Sequence, residues 1–348
     1  MPEPVTQEAI SGVGMGDRHL PSLGQGCPTC LIRSTGSLLM KRAFIALGVV
    51  TTLTLANAAH TDLQGQLRSR RAERTAGRNA EPRPPRAAGK QTMSYGTDSF
   101  QQLDFYPSAD GNRRAPLVLF VHGGGWKRGS KDNADGAWKA PHYTGRGYAY
   151  ASINYRLVPK NTVEDQASDV AASVRYLIDH ATALGFDPGR IVIMGHSAGA
   201  HLVALVGTDP QYLTKAGLSF ANLAGVLPID GAAYDVPRQM DEGGLFMRDT
   251  YVQAFGDAPA RQRSLSPALQ AQAPNAPAFL IIHVQRKDGV AQATELENAL
   301  KQAGTPVERQ GFPGTGLAGH AQINRDLGNP DYAATPIVDA WLTQRFGR

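Results

Sequence analysis

Downstream of Tyr95 the chain alternates between two hydrophobic rhythms. Short unbroken apolar runs at Pro116–Val121 (PLVLFV), Tyr148–Ile153, Ile191–Met194, Ala224–Ile229 and Ala278–His283 predict strands covered on both faces, because a strand with one wet face shows a polar residue at every second position. Between two of these runs, Val170, Val174, Leu177 and Ile178 fall at i, i+4, i+7 and i+8. That spacing draws one apolar stripe along a helix between Val163 and Leu184. The triplet Asp187, Pro188, Gly189 predicts a turn into the strand at Ile191. Further helices are predicted over Ala198–Val206, Ala291–Ala303 and Pro336–Phe346, with a last strand over Pro306–Phe312. Strands alternating with helices define an α/β fold around a mostly parallel, doubly wound sheet. The rhythm breaks between Ala232 and Ala273, a stretch with Gly243, Gly244 and several prolines. Long insertions in compact domains are usually functional, so this one is expected to serve as a cap or substrate loop.

Composition narrows the class. With 348 residues, 42% hydrophobic and 19% charged, the chain has the make-up of a globular enzyme and excludes a fibrous or disordered protein. One catalytic domain is expected over residues 95–348. The formal charge of +5 would suggest an anionic partner if it were spread over that domain. It is instead concentrated in residues 59–94, where Arg68, Arg70, Arg71, Arg74, Arg78, Arg83, Arg86 and Lys90 outnumber Asp62, Glu73 and Glu81. This segment lacks interleaved aromatics and carries Pro82, Pro84 and Pro85. A solvated linker is the expectation, with no nucleic-acid partner.

From Met40 the sequence reads MKRAFIALGVVTTLTLANAAH, a basic start, an apolar run and small residues, which is the layout of a secretory signal over residues 40–58. The run falls short of the roughly 20 residues a bilayer-spanning helix needs. No stable membrane anchor is expected, and the location is expected to be periplasmic or secreted. Residues 1–39 are then expected to be an over-extended gene start. Both cysteines, Cys27 and Cys30, lie there, and a lone CxxC is a poor zinc or redox signal.

The chemistry is concentrated in two glycine-rich motifs. Gly195, His196, Ser197, Ala198 and Gly199 spell GHSAG directly after the strand IVIM and before a helix. In that setting the small flanking residues let a tight turn expose the serine hydroxyl, making Ser197 the candidate nucleophile. The second motif, His122, Gly123, Gly124, Gly125 and Trp126, follows the strand PLVLFV. Consecutive glycines can bring backbone NH groups close to a substrate oxygen, so Gly124 and Gly125 are the candidate oxyanion donors together with Ala198. A nucleophilic serine needs a base and the base an acid, in the chain order serine, acid, histidine. Of the two histidines well downstream, His283 falls inside the apolar run AFLIIHV and reads as core, while His320 lies in the loop PGTGLAGHAQIN and is the candidate base. Asp288, just past the strand ending at His283, is the candidate acid, with Asp230 and Asp235 in reserve. His196 and His201 read as packing residues. The acidic stretch Asp132 to Ala137 has no histidine partner, so neither a metal nor a cofactor is expected.

These residues carry a resemblance. The HGGGW motif, the stretch GFDPGRIVIMGHSAGAHLVALVG, and the downstream Asp and His resemble the esterase and lipase branch of the α/β hydrolases, especially the bacterial feruloyl-esterase-like carboxylesterases. The likeness runs from about Tyr95 to Phe346. It implies an α/β-hydrolase fold with an eight-stranded, mostly parallel sheet, and a Ser/Asp/His triad at Ser197, Asp288 and His320. It also implies small ester substrates and no cofactor. The stretch HVQRKDGVAQ departs from the family's commoner HGxxDxxV by one extra residue. Kynurenine formamidases are also similar, which makes an aryl formamide a competing substrate, and a non-catalytic binding protein of the same fold is a third reading.

Overall fold

The computed structural model describes residues 87, 89–132, 136–242 and 244–347. The expectations for the gene start, the signal segment and most of the linker lie outside the described residues. Among those described, eight strands form one sheet. In chain order they are β1 (Gln91–Ser94), β2 (Gln102–Tyr106), β3 (Ala115–Val121), β4 (Ala149–Ile153), β5 (Phe186–His196), β6 (Gly225–Ile229), β7 (Phe279–Val284) and β8 (Val307–Phe312). Their order across the sheet is β1-β2-β4-β3-β5-β6-β7-β8. The pairs β1–β2 and β2–β4 are antiparallel and the rest parallel.

The unbroken apolar runs have the cause inferred for them. Along β3, Leu117, Leu119 and Val121 enter one core cluster, while Val118 and Phe120 enter the other. The first cluster is closed by the helices Val163–Asp179 and Ala198–Thr208. The second is closed by the helices Lys139–Gly145 and Ala334–Phe346. Successive side chains of a strand point to opposite faces, so a sheet with helices on both sides must be apolar at every position. Helix Val163–Asp179 begins at a capping box, in which the Thr162 hydroxyl accepts from the Asp165 amide and the Asp165 carboxylate accepts from Thr162. Helix Ala198–Thr208 is buried at all of its positions, which is why it shows no polar stripe.

Four features differ from the sequence expectations. The edge strand β1 and its neighbour β2 escaped the apolar pattern because QTMS is largely polar and QLDFY interrupts its apolar residues with Asp104. Since β1 lies in residues 91–94, the folded domain starts inside the segment read as linker. Asp187–Gly189 belongs to β5 and not to a turn before it. The break at 232–273 is helical, with helices Val236–Glu242, Gly244–Phe255, Pro259–Ser264 and Pro267–Gln270. No described helix is long and apolar enough to cross a membrane.

Candidate active site

The site lies at the carboxyl ends of the central parallel strands, where an open α/β sheet gathers its functional loops. Ser197 follows β5 directly with φ 57° and ψ −118°, a conformation that side-chain-bearing residues rarely adopt. Its amide donates to the Ile229 carbonyl of β6 at 3.0 Å, and Ala198 opens the following helix. The two motif glycines are required by close approach. A Cβ on Gly195 would stand 2.3 Å from the Gly199 carbonyl oxygen, and one on Gly199 would stand 2.2 Å from that of Val121. Within GHSAG, Ser197 alone is partly open to solvent while its neighbours are buried.

The HGGGW segment lies against this turn. A Cβ on Gly123 would be 3.0 Å from Cβ of Ser197, so Gly124 and Gly125 follow immediately beside that serine. Among the described residues, no acceptor takes the amide hydrogens of Gly124 and Gly125. Trp126 closes the loop in the left-handed region at φ 61°. It is anchored through its carbonyl by the Gln166 amide at 2.7 Å and through its indole NH by Nδ1 of His201 at 3.3 Å. The insertion reaches the same loop, since Thr250 Cγ2 lies 3.0 Å from where a Cβ on Gly125 would stand.

His320 sits on the helix Gly316–Asp326, not in a loop. Its Nδ1 donates to Oδ2 of Asp230 at 2.6 Å. Its ring lies 4.4 Å from that of His196, the residue before Ser197, and the His196 Nε2–H donates to the His320 carbonyl at 3.0 Å. His196 therefore does more than fill space, because it fixes the backbone of the histidine facing it.

The acid next to His320 is Asp230, which corrects the expectation for Asp288. Asp230 follows β6 directly, with its amide bonded to the Ile282 carbonyl at 2.7 Å and its Oδ1 accepting from the Val284 amide at 3.1 Å. Its side chain is fully buried. Burial would raise the Asp230 carboxyl, but the hydrogen bond from His320 and the charge of Arg286 outweigh it and hold the group below the usual carboxylate range. Asp288 lies elsewhere. It falls in the first turn of the helix Lys287–Gln302, half-buried, with Oδ2 at 3.2 Å from Nη1 of Arg286. Asp235 is placed elsewhere, accepting from the Arg238 amide at 3.0 Å at the head of the helix Val236–Glu242.

Arg286 was not singled out in the sequence. It is mostly buried, and its Nε donates to Asp230 Oδ2 at 3.0 Å. Its Nη2 donates to the carbonyls of Asp230 and Gly231 at 3.3 Å each. His283 is buried in β7, where Nη1 of Arg309 donates to its Nε2 at 3.0 Å. Among the described residues, no group of three or more His, Cys, Asp or Glu is placed to hold a metal ion.

Three buried histidines brace the site as neutral rings. His122 donates from Nδ1 to the Gly123 carbonyl at 2.7 Å and stacks on Tyr155 at 4.3 Å. His201 donates from Nε2 to the Leu265 carbonyl at 2.8 Å, tying the helix after Ser197 to the insertion. Burial pulls both rings down to about 4, and pulls His196 well below its ordinary value. Above pH 6.5 such rings are neutral whether the chain is folded or not. As the pH falls from 6.5 towards 4 the unfolded chain takes up protons that the folded chain refuses, so stability is lost in that window, by about 3 kcal/mol each for His122 and His201. Glutamine at position 201 can make similar hydrogen bonds without titrating. Denaturant titrations should therefore show His201→Gln losing about 2–3 kcal/mol less than the parent between pH 7 and pH 4. Equal losses would rule out His201 as a source of the acid sensitivity.

The eight-stranded, mostly parallel sheet, with Ser197 at the turn between a central strand and a buried helix, fits the α/β-hydrolase fold. The BD-FAE family model matches residues 103–222, the part holding the HGGGW and GHSAG motifs. The chain is similar to the probable isoprenylcysteine alpha-carbonyl methylesterase ICME of Oryza sativa subsp. japonica, at 37% identity over 114 residues, 33% of this chain and 27% of that protein. Esterase LipC of Mycobacterium tuberculosis is 30% identical over 206 residues, 57% of this chain and 51% of that protein. The chain thus spans about a quarter of the plant methylesterase and about half of LipC. Esterase B from Lactobacillus rhamnosis shares the fold with a TM-score of 0.62 at 21% identity, over 83% of this chain and 94% of that one. Esterase 2 of Thermogutta terrifontis does so with a TM-score of 0.62 at 23% identity, over 76% of this chain and 98% of that one.

Proposed function

We propose that the protein is a serine carboxylesterase in which Ser197 attacks the ester carbonyl and His320, held by Asp230, accepts the serine proton. The alkoxide of the tetrahedral intermediate is met by the amides of Gly124, Gly125 and Ala198. Collapse releases the alcohol, which takes its proton from His320. Water, activated by the same histidine, then hydrolyses the acyl enzyme and regenerates the serine. The observation that carries this reading is the 2.6 Å bond from His320 Nδ1 to the buried Asp230 carboxylate, because that bond leaves Nε2 as the proton acceptor. The fold-level likeness to esterases and the partial sequence likeness to methylesterases and LipC support the same class. No step requires a cofactor.

Purified protein offered p-nitrophenyl acetate and butyrate should release p-nitrophenol and be inactivated by an organophosphonate that labels Ser197. Release without labelling at Ser197 would defeat the nucleophile assignment. A panel adding feruloyl esters and N-formylkynurenine separates the carboxylesterase from the formamidase reading. Activity confined to the formamide would favour the latter, and silence across the panel would favour a binding protein.

A further inference from the structure

The geometry points to Arg286 as a positioning residue that divides the charge of Asp230 between itself and His320, with Asp288 on the far side of Arg286 setting how much of that charge the histidine receives. The inference rests on the reading of His320 as the base. Both the Arg286 Nε–H and the His320 Nδ1–H end on the same oxygen, Oδ2 of Asp230, at 3.0 and 2.6 Å. The other oxygen is committed to the Val284 amide, so the carboxylate cannot turn to give each cation an oxygen of its own. Nη1 of Arg286 reaches Asp288 at 3.2 Å, which lines up four groups in the order Asp288, Arg286, Asp230, His320. Alternating charges along such a row act on the far group with alternating sign.

Other ionisable groups face the pair without changing its order. His196 lies against His320 from the end of β5, its ring tilted by 36°, and Lys139 acts on His196 from the helix Lys139–Gly145. Tyr251 of the insertion feels Asp288 and Arg286, and Tyr332 feels Asp230. Arg325 and Asp326 on the histidine's own helix are paired to each other at 2.9 Å. His196 is held neutral by burial, while Lys139 is turned to Asn324 and the Phe120 ring. Arg286 is therefore the cation bonded to the acid itself.

The sign follows from the row. The Asp230 charge favours the imidazolium of His320 and the Arg286 charge opposes it, so removing Arg286 should make His320 easier to protonate. Removing Asp288 leaves the Arg286 charge less compensated and should make His320 harder to protonate. The test is an NMR titration of the His320 ring in the full chain, with the acid limb of kcat/KM for p-nitrophenyl acetate as a second readout. Arg286→Gln should raise the His320 midpoint by about one pH unit. Asp288→Asn should lower it by a smaller amount, and should leave it unmoved in the Arg286→Gln background, since Asp288 acts through the arginine. A role confined to folding would alter stability or kcat without these opposed movements.

An unmoved midpoint in folded Arg286→Gln would overturn the inference. If that variant fails to fold, Asp288→Asn decides, since its carboxylate is part-exposed and its replacement leaves the core intact. A midpoint that stays put or rises in Asp288→Asn overturns the inference as well. Because the ring titration needs no turnover, opposed shifts in a chain that hydrolyses no ester would sink the esterase reading and support the charge division. Hydrolysis with unmoved midpoints would do the reverse.

Discussion

Ser197→Ala and His320→Ala should each lower the turnover of an activated ester roughly a million-fold, and Asp230→Ala roughly ten-thousand-fold, while Asp288→Ala should stay within about ten-fold of the parent. The first two are expected to be alike because the serine and its base act as one unit, so either loss removes the same nucleophile. Asp230 is expected to cost less than either, since its loss leaves the His320 ring in place as a base but removes the bond that fixes its tautomer and steadies the imidazolium. The contrast between the two aspartates follows from their surroundings. Asp230 is fully buried and bonded to His320, whereas the Asp288 carboxylate is part-exposed and meets Arg286. Steady-state kinetics of the four variants on p-nitrophenyl acetate, with circular dichroism to confirm folding, provides the measurement. A larger loss in Asp288→Ala than in Asp230→Ala would return the acid to the position after β7. Near-parent rates for His320→Ala would remove the base altogether.

That contrast also shows where sequence reading stops. The tight turns at Ser197 and at the glycine loop were legible because their constraints are local. A tight turn after a buried strand needs small residues beside the serine, and the close approaches at Gly195 and Gly199 are the structural form of that need. The central strands were legible for a similar reason, since burial on both faces leaves unbroken apolar runs. The acid was not. Asp230 and Asp288 both follow a strand at the active edge of the sheet, and what separates them is which way one inserted residue turns the chain after β7. Placing Arg286 against Asp230 and starting the helix at Lys287 directs Asp288 outward. The visible clue was that extra residue in HVQRKDGV, together with an aspartate closing the strand GVLPI directly before Gly231. The helix carrying His320 was hidden for another reason. Gly314, Gly316 and Gly319 read as a loop, yet Gly319 is small because it packs on Gly314, where a Cβ would stand 2.6 Å from the Gly314 carbonyl carbon. Packing overrode propensity there.

Gly124→Ala should lower turnover a further hundred- to thousand-fold relative to a matched Gly125→Ala variant, with KM for small esters little changed. The two glycines differ in what a methyl group would meet. At Gly124, with φ 128°, a Cβ would stand 2.0 Å from the Arg128 carbonyl oxygen, which is backbone and cannot swing aside. The Gly124 carbonyl meanwhile accepts from the amides of Lys127 and Arg128 at 3.4 and 3.2 Å, so relieving the clash must open the small turn that aims the amide at the substrate oxygen. At Gly125, φ is 61° and the nearest atom is the side-chain methyl of Thr250 at 3.0 Å, a milder crowding in a region that non-glycine residues tolerate at a cost of about 1–2 kcal/mol. An amide donor to charge that develops only in the transition state contributes about 3 to 4 kcal/mol when removed, which is the size of the expected loss. Because the ground-state ester carries little charge on that oxygen, the loss belongs in kcat and not in KM. A folded Gly124→Ala variant with parental kcat would mean that the glycine loop is a structural turn and that the oxyanion is held by other donors beside Ala198.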